Sequence, residues 1–229
     1  MQPITLAGLF TGEISPLGPR GVPSGIAKTP VRDTRFLTFN GLEGDAQGDQ
    51  VRHGGPEKAV HHYPLDHYRL WQQDIGDHAL LSAPGAFGEN VSTEGLTEAS
   101  VAVGDIFRLG KATVEVSQGR QPCWKLNERF GRPDMARTVQ STGRTGWYYR
   151  VLEQGPVSPG DQIVLIERKS AEWTIARIWH AFYVDTLNRE VLGRLAELQS
   201  LAEGWRTHAA RRLESGKVED WNKRLTGLD

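Results

Sequence analysis

The stretch TVEVSQGRQPC, residues 113–123, begins as a β-favouring run and ends on the only cysteine of the chain. A run of this kind that stops at glycine and proline predicts a strand followed by a turn. Cys123 therefore follows directly on a strand, where a side chain can be directed into a pocket. Arg120 and Lys125 on either side of it are suited to stabilise a thiolate.

Similar runs occur throughout the first two-thirds of the chain, which is rich in Gly and Pro. Many short strands at regular spacing favour a barrel or sandwich over alternating βαβ units. One helix is expected after Pro64, since apolar residues recur near the helical period until Gly76. We predict a mostly antiparallel β domain over residues 1–169. Its further strand candidates are Ile4–Ile14, Arg35–Phe39, Ala59–Tyr63, Glu89–Thr93, Asp105–Leu109 and Gln162–Glu167.

After Lys169 the apolar residues follow a helical period instead. Ser170 is the expected N-cap of the first helix, a second follows Asp185, and a third ends before Gly216. The sequence thus predicts a small three-helix unit over residues 170–229. Its apolar faces are Ile175, Ile178, Trp179 and Phe182, then Leu187, Val191, Leu195 and Leu198, then Trp205, Ala209 and Leu213.

Composition excludes several classes of protein. The formal net charge of −1 over 229 residues argues against a general nucleic-acid or membrane-surface binder. No apolar run is long enough to span a bilayer and the start lacks a basic signal, so we expect a cytoplasmic protein. A single Cys cannot form an internal disulfide, an iron–sulfur cluster held by several thiolates or a multi-Cys zinc site. Cys123 is left as a buried hydrophobe, a nucleophile or one ligand of a metal.

Two further segments have the composition of anion sites. Arg52, His53 and Lys58 surround two glycines, which lets cations and backbone N–H groups converge on an anion. Residues 141–148 offer hydroxyls, flexible backbone and the Arg144 guanidinium, all suited to a phosphate. A tight loop with solvated charges is the alternative for the first segment. The neighbouring histidines do not form a zinc motif, because His61 and His62 would point to opposite faces of a strand.

Several motifs, in the same order, resemble the MOSC domain family. The helical tail, including Arg212-Leu213 and residues 215–220, resembles that of one bacterial branch of this family. Gly119 departs from the pattern, which has Pro before the arginine, and this could loosen the loop that carries Cys123. The matching motifs are Gly44-Asp45, His53-Gly54-Gly55, Lys58-Ala59-Val60, Phe87-Gly88-Glu89-Asn90, Val103-Gly104-Asp105, Arg120 with Pro122-Cys123, and Gly146-Trp147-Tyr148.

The resemblance implies a mainly β fold, a MOSC β-barrel-like domain with a few helices and a C-terminal three-helix unit. It also implies a molybdenum cofactor bound through its pterin dithiolene and through Cys123, the metal ligand and catalytic residue. Proteins of the bacterial branch are associated with reduction of N-hydroxylated bases such as 6-hydroxylaminopurine. Removing oxygen from an N–OH group takes two electrons, which requires a redox cofactor. The expected cofactor-binding residues are His53, Lys58, Asn90, Gln118, Arg120 and Arg144.

Other functions remain open at this point. The same fold could carry or store the cofactor, or use Cys123 as a persulfide sulfur carrier. A Cys-dependent hydrolase has no histidine linked to Cys123 in sequence, and a DNA-binding tail is disfavoured by its interleaved acidic residues. We find no GxGxxG fingerprint for a dinucleotide, so a reductase of this kind needs a separate electron-donating protein. The sequence leaves the oligomeric state open, with a homodimer as one option.

Overall fold

The computed structural model describes residues 2–46 and 54–228 of the 229-residue chain. Fourteen strands are present in these ranges, most of them short. They are β1 (Ile4–Thr5), β2 (Gly8–Thr11), β3 (Ser15–Leu17), β4 (Val22–Ser24), β5 (Thr29–Pro30), β6 (Arg35–Thr38), β7 (Gly41–Leu42), β8 (Val60–Pro64), β9 (Val91–Thr93), β10 (Asp105–Leu109), β11 (Ala112–Gly119), β12 (Trp147–Glu153), β13 (Gly155–Val157) and β14 (Gln162–Arg168).

Nine of these strands form one large sheet in the order β1-β14-β10-β11-β12-β8-β9-β2-β5. Its pairs are antiparallel except β8 with β9, so the predicted mostly antiparallel β domain is confirmed. Within the described residues the sheet has two ends, β1 and β5, and is therefore not a closed barrel. Two small sheets, β13-β6-β7 and β3-β4, accompany it.

Seven α-helices occur in the described residues, which makes the fold mainly β with a helical C-terminal part, as predicted. The sequence did not predict the second, third and seventh helices, because their 6, 8 and 5 residues are too few to show a clear period. It did not predict the strand β12 either, because Gly143 and Gly146 just before it indicated a loop. The helices are α1 (Asp66–Ile75), α2 (Lys125–Phe130), α3 (Met135–Thr142), α4 (Ile175–Tyr183), α5 (Arg189–Glu197), α6 (Glu203–Ser215) and α7 (Asn222–Thr226). Short 3₁₀ turns lie at Pro56–Lys58 and Ala79–Ser82.

Two predicted helix starts are wrong. Pro64 is the last residue of β8, and α1 begins at Asp66. Thr174, not Ser170, caps α4, where its side chain accepts a hydrogen bond from the backbone N–H of Arg177 at 3.2 Å. Thr174 directly precedes the first apolar residue of the helix, which is where a cap saturates the free N–H groups.

The core has two parts. In the first, the sheet packs against α4, α5 and α6, with Phe107, Phe182 and Trp205 in one cluster. In the second, α1, α2 and α3 enclose Trp71 and Phe87. Because the C-terminal helices share a core with the sheet, their packing fixes the sheet's end near Cys123. The domain boundary near Lys169 stays a prediction.

The register of three neighbouring strands fixes the site. Gly119, at the end of β11, lies opposite Trp147 of β12. Tyr148 of β12 lies in turn opposite His61 of β8. Side chains that alternate on such strands therefore bring His61 and Tyr148 to one face, next to the turn that follows β11. No helix in the described part of the chain is both long enough and apolar enough to cross a membrane.

Candidate functional site

A cavity of about 640 Å³, counted out to its open mouth, lies beside Cys123. Four of the predicted site residues line it: Lys58, Asn90, Arg120 and Cys123. These residues come from a 3₁₀ turn, the start of β9 and the loop after β11, which are far apart in sequence. The fold thus brings a thiol and two predicted cations to one cavity.

Three predicted site residues are not in this set. His53 lies outside the described residues. Gln118 is buried in β11, opposite Tyr148, and is not among the described residues that line the cavity. Arg144 is directed to the second core, where its guanidinium lies 3.9 Å above the Trp71 ring and pairs with Asp74. A role for Gln118 or Arg144 in binding a ligand stays a prediction.

Cys123 lies in the loop of residues 120–124, named here the Cys123 loop. The loop starts where the backbone N–H of Arg120 donates to the carbonyl of Gly146 at 3.0 Å. It ends where the N–H of Leu126 donates to the carbonyl of Cys123 at 2.9 Å, in the first turn of α2. Cys123 is 8% exposed and belongs to neither apolar cluster. It is therefore buried against the cavity and not within the hydrophobic core.

Arg120 is the most informative side chain of the site. It is 6% exposed, and its Nη1 atom is buried without a hydrogen-bond partner among the described residues. Leaving a buried charged donor unpaired costs free energy. A guanidinium held in this way at a cavity wall fits an anionic ligand, because an anion would supply the acceptor that the described residues do not.

A buried ion pair forms another wall of the cavity. Lys28 pairs with Asp45, and both side chains are almost fully buried. Burial lowers the pKa of the Lys28 amine, while Asp45 opposes this effect. Asp45 also accepts hydrogen bonds from the N–H of Gly12 at 2.9 Å and from Nδ2 of Asn90 at 2.8 Å.

Asn90 connects this ion pair to β8. Its Nδ2 atom donates to Asp45 and to the carbonyl of Phe10, while its Oδ1 atom accepts from the N–H of His61 at 3.0 Å. Both amide hydrogens are thereby directed to protein acceptors. Asn90 lines the cavity mainly as a brace, and its contribution to ligand binding as a hydrogen-bond partner stays a prediction.

His61 and Tyr148 form an aromatic wall, with ring centroids 5.0 Å apart. Burial and the nearby Arg120 charge hold the pKa of His61 well below its usual range, so its imidazole is neutral at neutral pH. Burial also raises the pKa of Tyr148, an effect that Arg120 opposes. His62 points to the other face, where it contacts the hydroxyls of Tyr149 and Thr93 at 2.9 Å each. The predicted opposite directions of the two histidines are confirmed.

Hydrogen bonds of a buried carboxylate, that of Glu98, hold the backbone beneath the cavity. Glu98 accepts the N–H of Gly146 at 2.7 Å through Oε1 and contacts Nε2 of His67 at 2.6 Å through Oε2. Gly146 has a φ of 70°, and a Cβ atom there would lie 2.3 Å from the carbonyl oxygen of His62. Only glycine fits this position without a shift of backbone. The Gly in the motif 146–148 is thus explained by packing beneath the cavity.

An ion pair holds the turn that carries Lys58. The turn Pro56–Lys58 is held by Arg150, whose Nη2 atom lies 2.5 Å from Oε2 of Glu57. The hydroxyl of Ser117 donates to the carbonyl of Glu57 at 2.6 Å. These contacts fix the turn against β11 and β12. Lys58 is thereby directed to the cavity wall.

The described lining of the cavity is cationic, with four cations and one carboxylate: Lys28, Lys58, Arg120 and Lys125 against Asp45. Sequence reasoning missed Lys28, His61 and Tyr148 as site residues. Strand alternation could have separated His61 from His62, but no sequence signal connects Lys28 to Cys123. The arrangement as a whole is suited to an anionic ligand that also presents a soft metal to the thiolate.

Comparison with known proteins agrees with this geometry. Residues 49–164 match the model of the MOSC domain, and residues 173–216 match that of the YiiM-like 3-alpha helix domain. The chain is 44% identical to protein YiiM of Escherichia coli over 96% of its own length and 97% of that protein. It is 36% identical to a protein named reductase from Gibberella moniliformis, over 71% of this chain but 29% of that longer protein.

A solved structure extends the likeness to three dimensions. The crystal structure of YiiM from Escherichia coli superposes with a TM-score of 0.79 and 38% identity, covering 93% of this chain and 98% of that one. The chain belongs to the MOSC family and, within it, to the YiiM-like proteins that carry the three-helix domain. MOSC domains are in general associated with binding of the molybdenum cofactor.

Proposed function

We propose that the protein binds the molybdenum cofactor in the cavity beside Cys123 and reduces N-hydroxylated bases such as 6-hydroxylaminopurine. The observation that carries the proposal is the buried Nη1 atom of Arg120, which has no hydrogen-bond partner among the described residues and lies in the same cavity as the only thiol of the chain. A guanidinium is suited to a phosphate and a thiolate to a soft metal. The molybdenum cofactor presents both groups.

The residues of the cavity fit this cofactor. Its phosphate and dithiolene are anionic, and the described part of the wall offers Lys28, Lys58, Arg120 and Lys125 against the carboxylate of Asp45. Cys123 would hold the metal, and Arg120 would complete its hydrogen bonds on the anion. Because Lys28 is engaged by Asp45, it would act mainly through its charge and through the shape of the wall.

The proposed reaction is R–NHOH + 2e⁻ + 2H⁺ → R–NH₂ + H₂O. When bound, the cofactor supplies the two-electron chemistry that no side chain can carry out. The chain itself binds and orients the substrate and limits access of water. His61, Phe87 and Tyr148 present aromatic rings to the cavity, and such rings are suited to contact a planar base.

The relatives support an oxidoreductase. The fungal protein to which the chain is 36% identical is named a reductase, although the match covers only part of it. Further support comes from the MOSC domain itself, which is of a type associated with the cofactor. We extend this support to a reductase of N-hydroxylated bases on the chemistry of the cavity.

Electrons must come from outside in this proposal. One Cys cannot hold an ordinary iron–sulfur cluster, and the sequence has no dinucleotide fingerprint. A separate reductase would therefore dock near the cavity mouth. A single Cys, which has no partner for an internal disulfide, is compatible with the reducing cytoplasm, where we place the protein in this proposal.

The test combines metal analysis with turnover. Protein purified from a host that makes the cofactor should contain molybdenum and reduce 6-hydroxylaminopurine with dithionite or a reduced viologen. It should be inactive with NADPH alone and become active when a separate flavin reductase is added. Sustained turnover with NADPH and no other component would contradict the external donor. Full molybdenum loading without turnover under any donor would instead favour the carrier or storage function.

A further inference from the structure

The C-terminal end of the chain returns to the Cys123 loop. Helix α7, Asn222–Thr226, lies beyond the residues 173–216 that match the three-helix domain. It packs near α3 and the start of α2, with Leu225 in the second apolar cluster. The contact is polar as well as apolar, because Nδ2 of Asn127 donates to the carbonyl of Leu225 at 2.8 Å. The last helix is thus joined to the elements that follow Cys123.

One residue of this helix contacts both peptide groups that flank Cys123. The Nη1 atom of Arg224 donates to the carbonyl of Pro122 at 2.5 Å, which belongs to the peptide before Cys123. The carbonyl of Arg224 accepts the N–H of Trp124 at 2.8 Å, which belongs to the peptide after Cys123. The orientations of these two peptides determine φ and ψ of Cys123. They therefore determine the direction of its Cα–Cβ bond.

Arg224 is itself held in place. Its Nη2 atom donates to Oε1 of Gln140 at 2.6 Å, and its guanidinium carbon lies 5.8 Å from the centroid of the Tyr183 ring. Tyr183 in turn accepts a hydrogen bond from Nε2 of Gln121 at 3.0 Å, in the same loop as Cys123. Two helices of the C-terminal part, α4 and α7, therefore form hydrogen bonds with the Cys123 loop.

We propose that Arg224 is a positioning residue that fixes the direction of the Cys123 thiol by bridging both of its peptide groups. Its effect acts through Cys123, since Arg224 is not among the described residues that line the cavity. That the fixed thiol serves as a metal ligand rests on the function proposed above. The bridge itself does not depend on it and can be measured without any cofactor.

The direct test is the alkylation rate of Cys123 in protein without cofactor. Because the chain has one Cys, incorporation of iodoacetamide reports on that thiol alone. Cys123 is only 8% exposed on the cavity wall, so a loop that opens more often presents the thiol to the reagent more often. Arg224→Ala should raise the alkylation rate by about ten-fold, the factor expected when a hydrogen bond to a charged donor is lost. Arg224→Lys keeps one donor for Pro122 and should restore part of the protection.

The matched control is Arg189→Ala. Arg189 also donates from its guanidinium to a carbonyl of the tail, that of Leu213 at 3.1 Å, and among the described contacts it makes no hydrogen bond with the Cys123 loop. This variant should be alkylated at the wild-type rate. If Arg224→Ala fails to fold, Gln140→Leu replaces it, because it removes one partner of Arg224 and leaves the bridge residue in place. Its alkylation rate should exceed that of the wild type, but by less than the ten-fold expected for Arg224→Ala.

A second measurement separates this inference from the proposed function. When the cofactor is supplied, Arg224→Ala should show lower molybdenum occupancy than Arg224→Lys and the Arg189→Ala control. Faster alkylation with no molybdenum in any variant, the wild type included, would support the bridge and contradict the proposed function. Alkylation of Arg224→Ala and Gln140→Leu at the wild-type rate would overturn the bridge, whatever the metal content.

Discussion

Arg120 and Arg144 have similar sequence surroundings, each near glycine and hydroxyl or amide residues, yet the structure uses them in different ways. Arg120 follows β11, is 6% exposed and presents at the cavity an Nη1 atom that has no partner among the described residues. Arg144 stacks 3.9 Å above Trp71 and pairs with Asp74. Its Nη1 atom likewise has no partner in the described part of the chain, but Arg144 lies against an aromatic ring and is not among the described residues that line the cavity. What surrounds a guanidinium decides its role, and the sequence around the arginine does not.

The two segments also depend on each other. The turn of residues 143–146 supplies the carbonyl of Gly146 to the backbone N–H of Arg120. That turn is fixed by Tyr63, whose hydroxyl donates to the carbonyl of Arg144 at 3.0 Å and accepts from Nε1 of Trp71 at 2.6 Å. The Arg144 turn therefore acts as framework for the Cys123 loop. This division of roles leads to predictions that differ in the property they change.

The largest effect is expected for Cys123→Ser. A hydroxyl is a harder and more basic ligand than a thiolate, so reductase activity should fall by at least about 100-fold. The fold should persist, because Cys123 lies in neither apolar cluster. Activity with an artificial donor, molybdenum content and the thermal midpoint should be measured together. Full activity and full molybdenum content in this variant would show that Cys123 is only a packing residue.

Arg120→Ala and Arg144→Ala should differ in how strongly they weaken cofactor binding. Removing a charge-assisted contact to a phosphate costs about 1.5–3 kcal/mol, so Arg120→Ala should weaken cofactor affinity by roughly 10- to 100-fold. Arg144→Ala should change the affinity little, since its guanidinium is engaged by Trp71 and Asp74. Molybdenum occupancy after dialysis checks both. Equal losses in the two variants would show that Arg144 also binds the cofactor.

The sequence predicted the general fold well because its signals are local. β-favouring runs between turn residues identified strands such as β10 and β11, and the period of Ile175, Ile178 and Phe182 identified α4. The strand β12 was missed, since Gly146 and the hydroxyl-rich segment before it suggested a loop. The 3₁₀ turn Pro56–Lys58 and the short helix α2 were missed for a different reason: they are too short to show a period.

The sequence predicted a site residue only where that residue is distinctive by itself or lies in a family motif. Cys123 stands out because it is the single thiol, and Lys58, Asn90 and Arg120 were predicted through resemblance and do line the cavity. Lys28 and Arg224 were not predictable as parts of the site. Each is connected to the site by a contact with a residue distant in the sequence: Lys28 contacts Asp45, and Arg224 contacts Pro122. No local pattern records such contacts.

For the free energy of unfolding we expect the reverse order: replacing Arg144 should have the larger effect and replacing Arg120 the smaller one. Arg144→Ala removes a cation–π contact and a partly exposed ion pair, which should lower the free energy of unfolding by about 1–2 kcal/mol. Arg120→Met removes a buried donor that has no partner among the described residues, so it should leave the free energy of unfolding of the cofactor-free protein unchanged or raise it. Urea denaturation of the cofactor-free proteins measures both. A larger loss for Arg120→Met than for Arg144→Ala would show that Arg120 serves the framework.

The smallest expected effect concerns pH and the framework beneath the Arg144 turn. His62 lies there, with its ring centroid 4.4 Å from that of Trp147, and burial lowers its pKa to about 3. The folded pKa is below the unfolded value of about 6.5, so the unfolded state binds the proton more readily as pH falls. The stabilisation is therefore present above pH 6.5 and is lost as pH falls towards 3. Between pH 7 and pH 6 the free energy of unfolding should decrease by about 0.7 kcal/mol from this group alone.

Replacing His62 by Asn tests the assignment. The variant should be less stable at pH 7, because the hydroxyls of Tyr149 and Thr93 lose a well-placed partner. Its stability should nevertheless change less between pH 7 and pH 6, because the buried imidazole that must stay neutral is gone. His61 stays in place as the internal comparison, since it faces the cavity on the same strand. If the free energy of unfolding of the variant changes between pH 7 and pH 6 as much as that of the wild type, another group takes up the proton. If the change is smaller by about the predicted amount, the proton uptake belongs to His62.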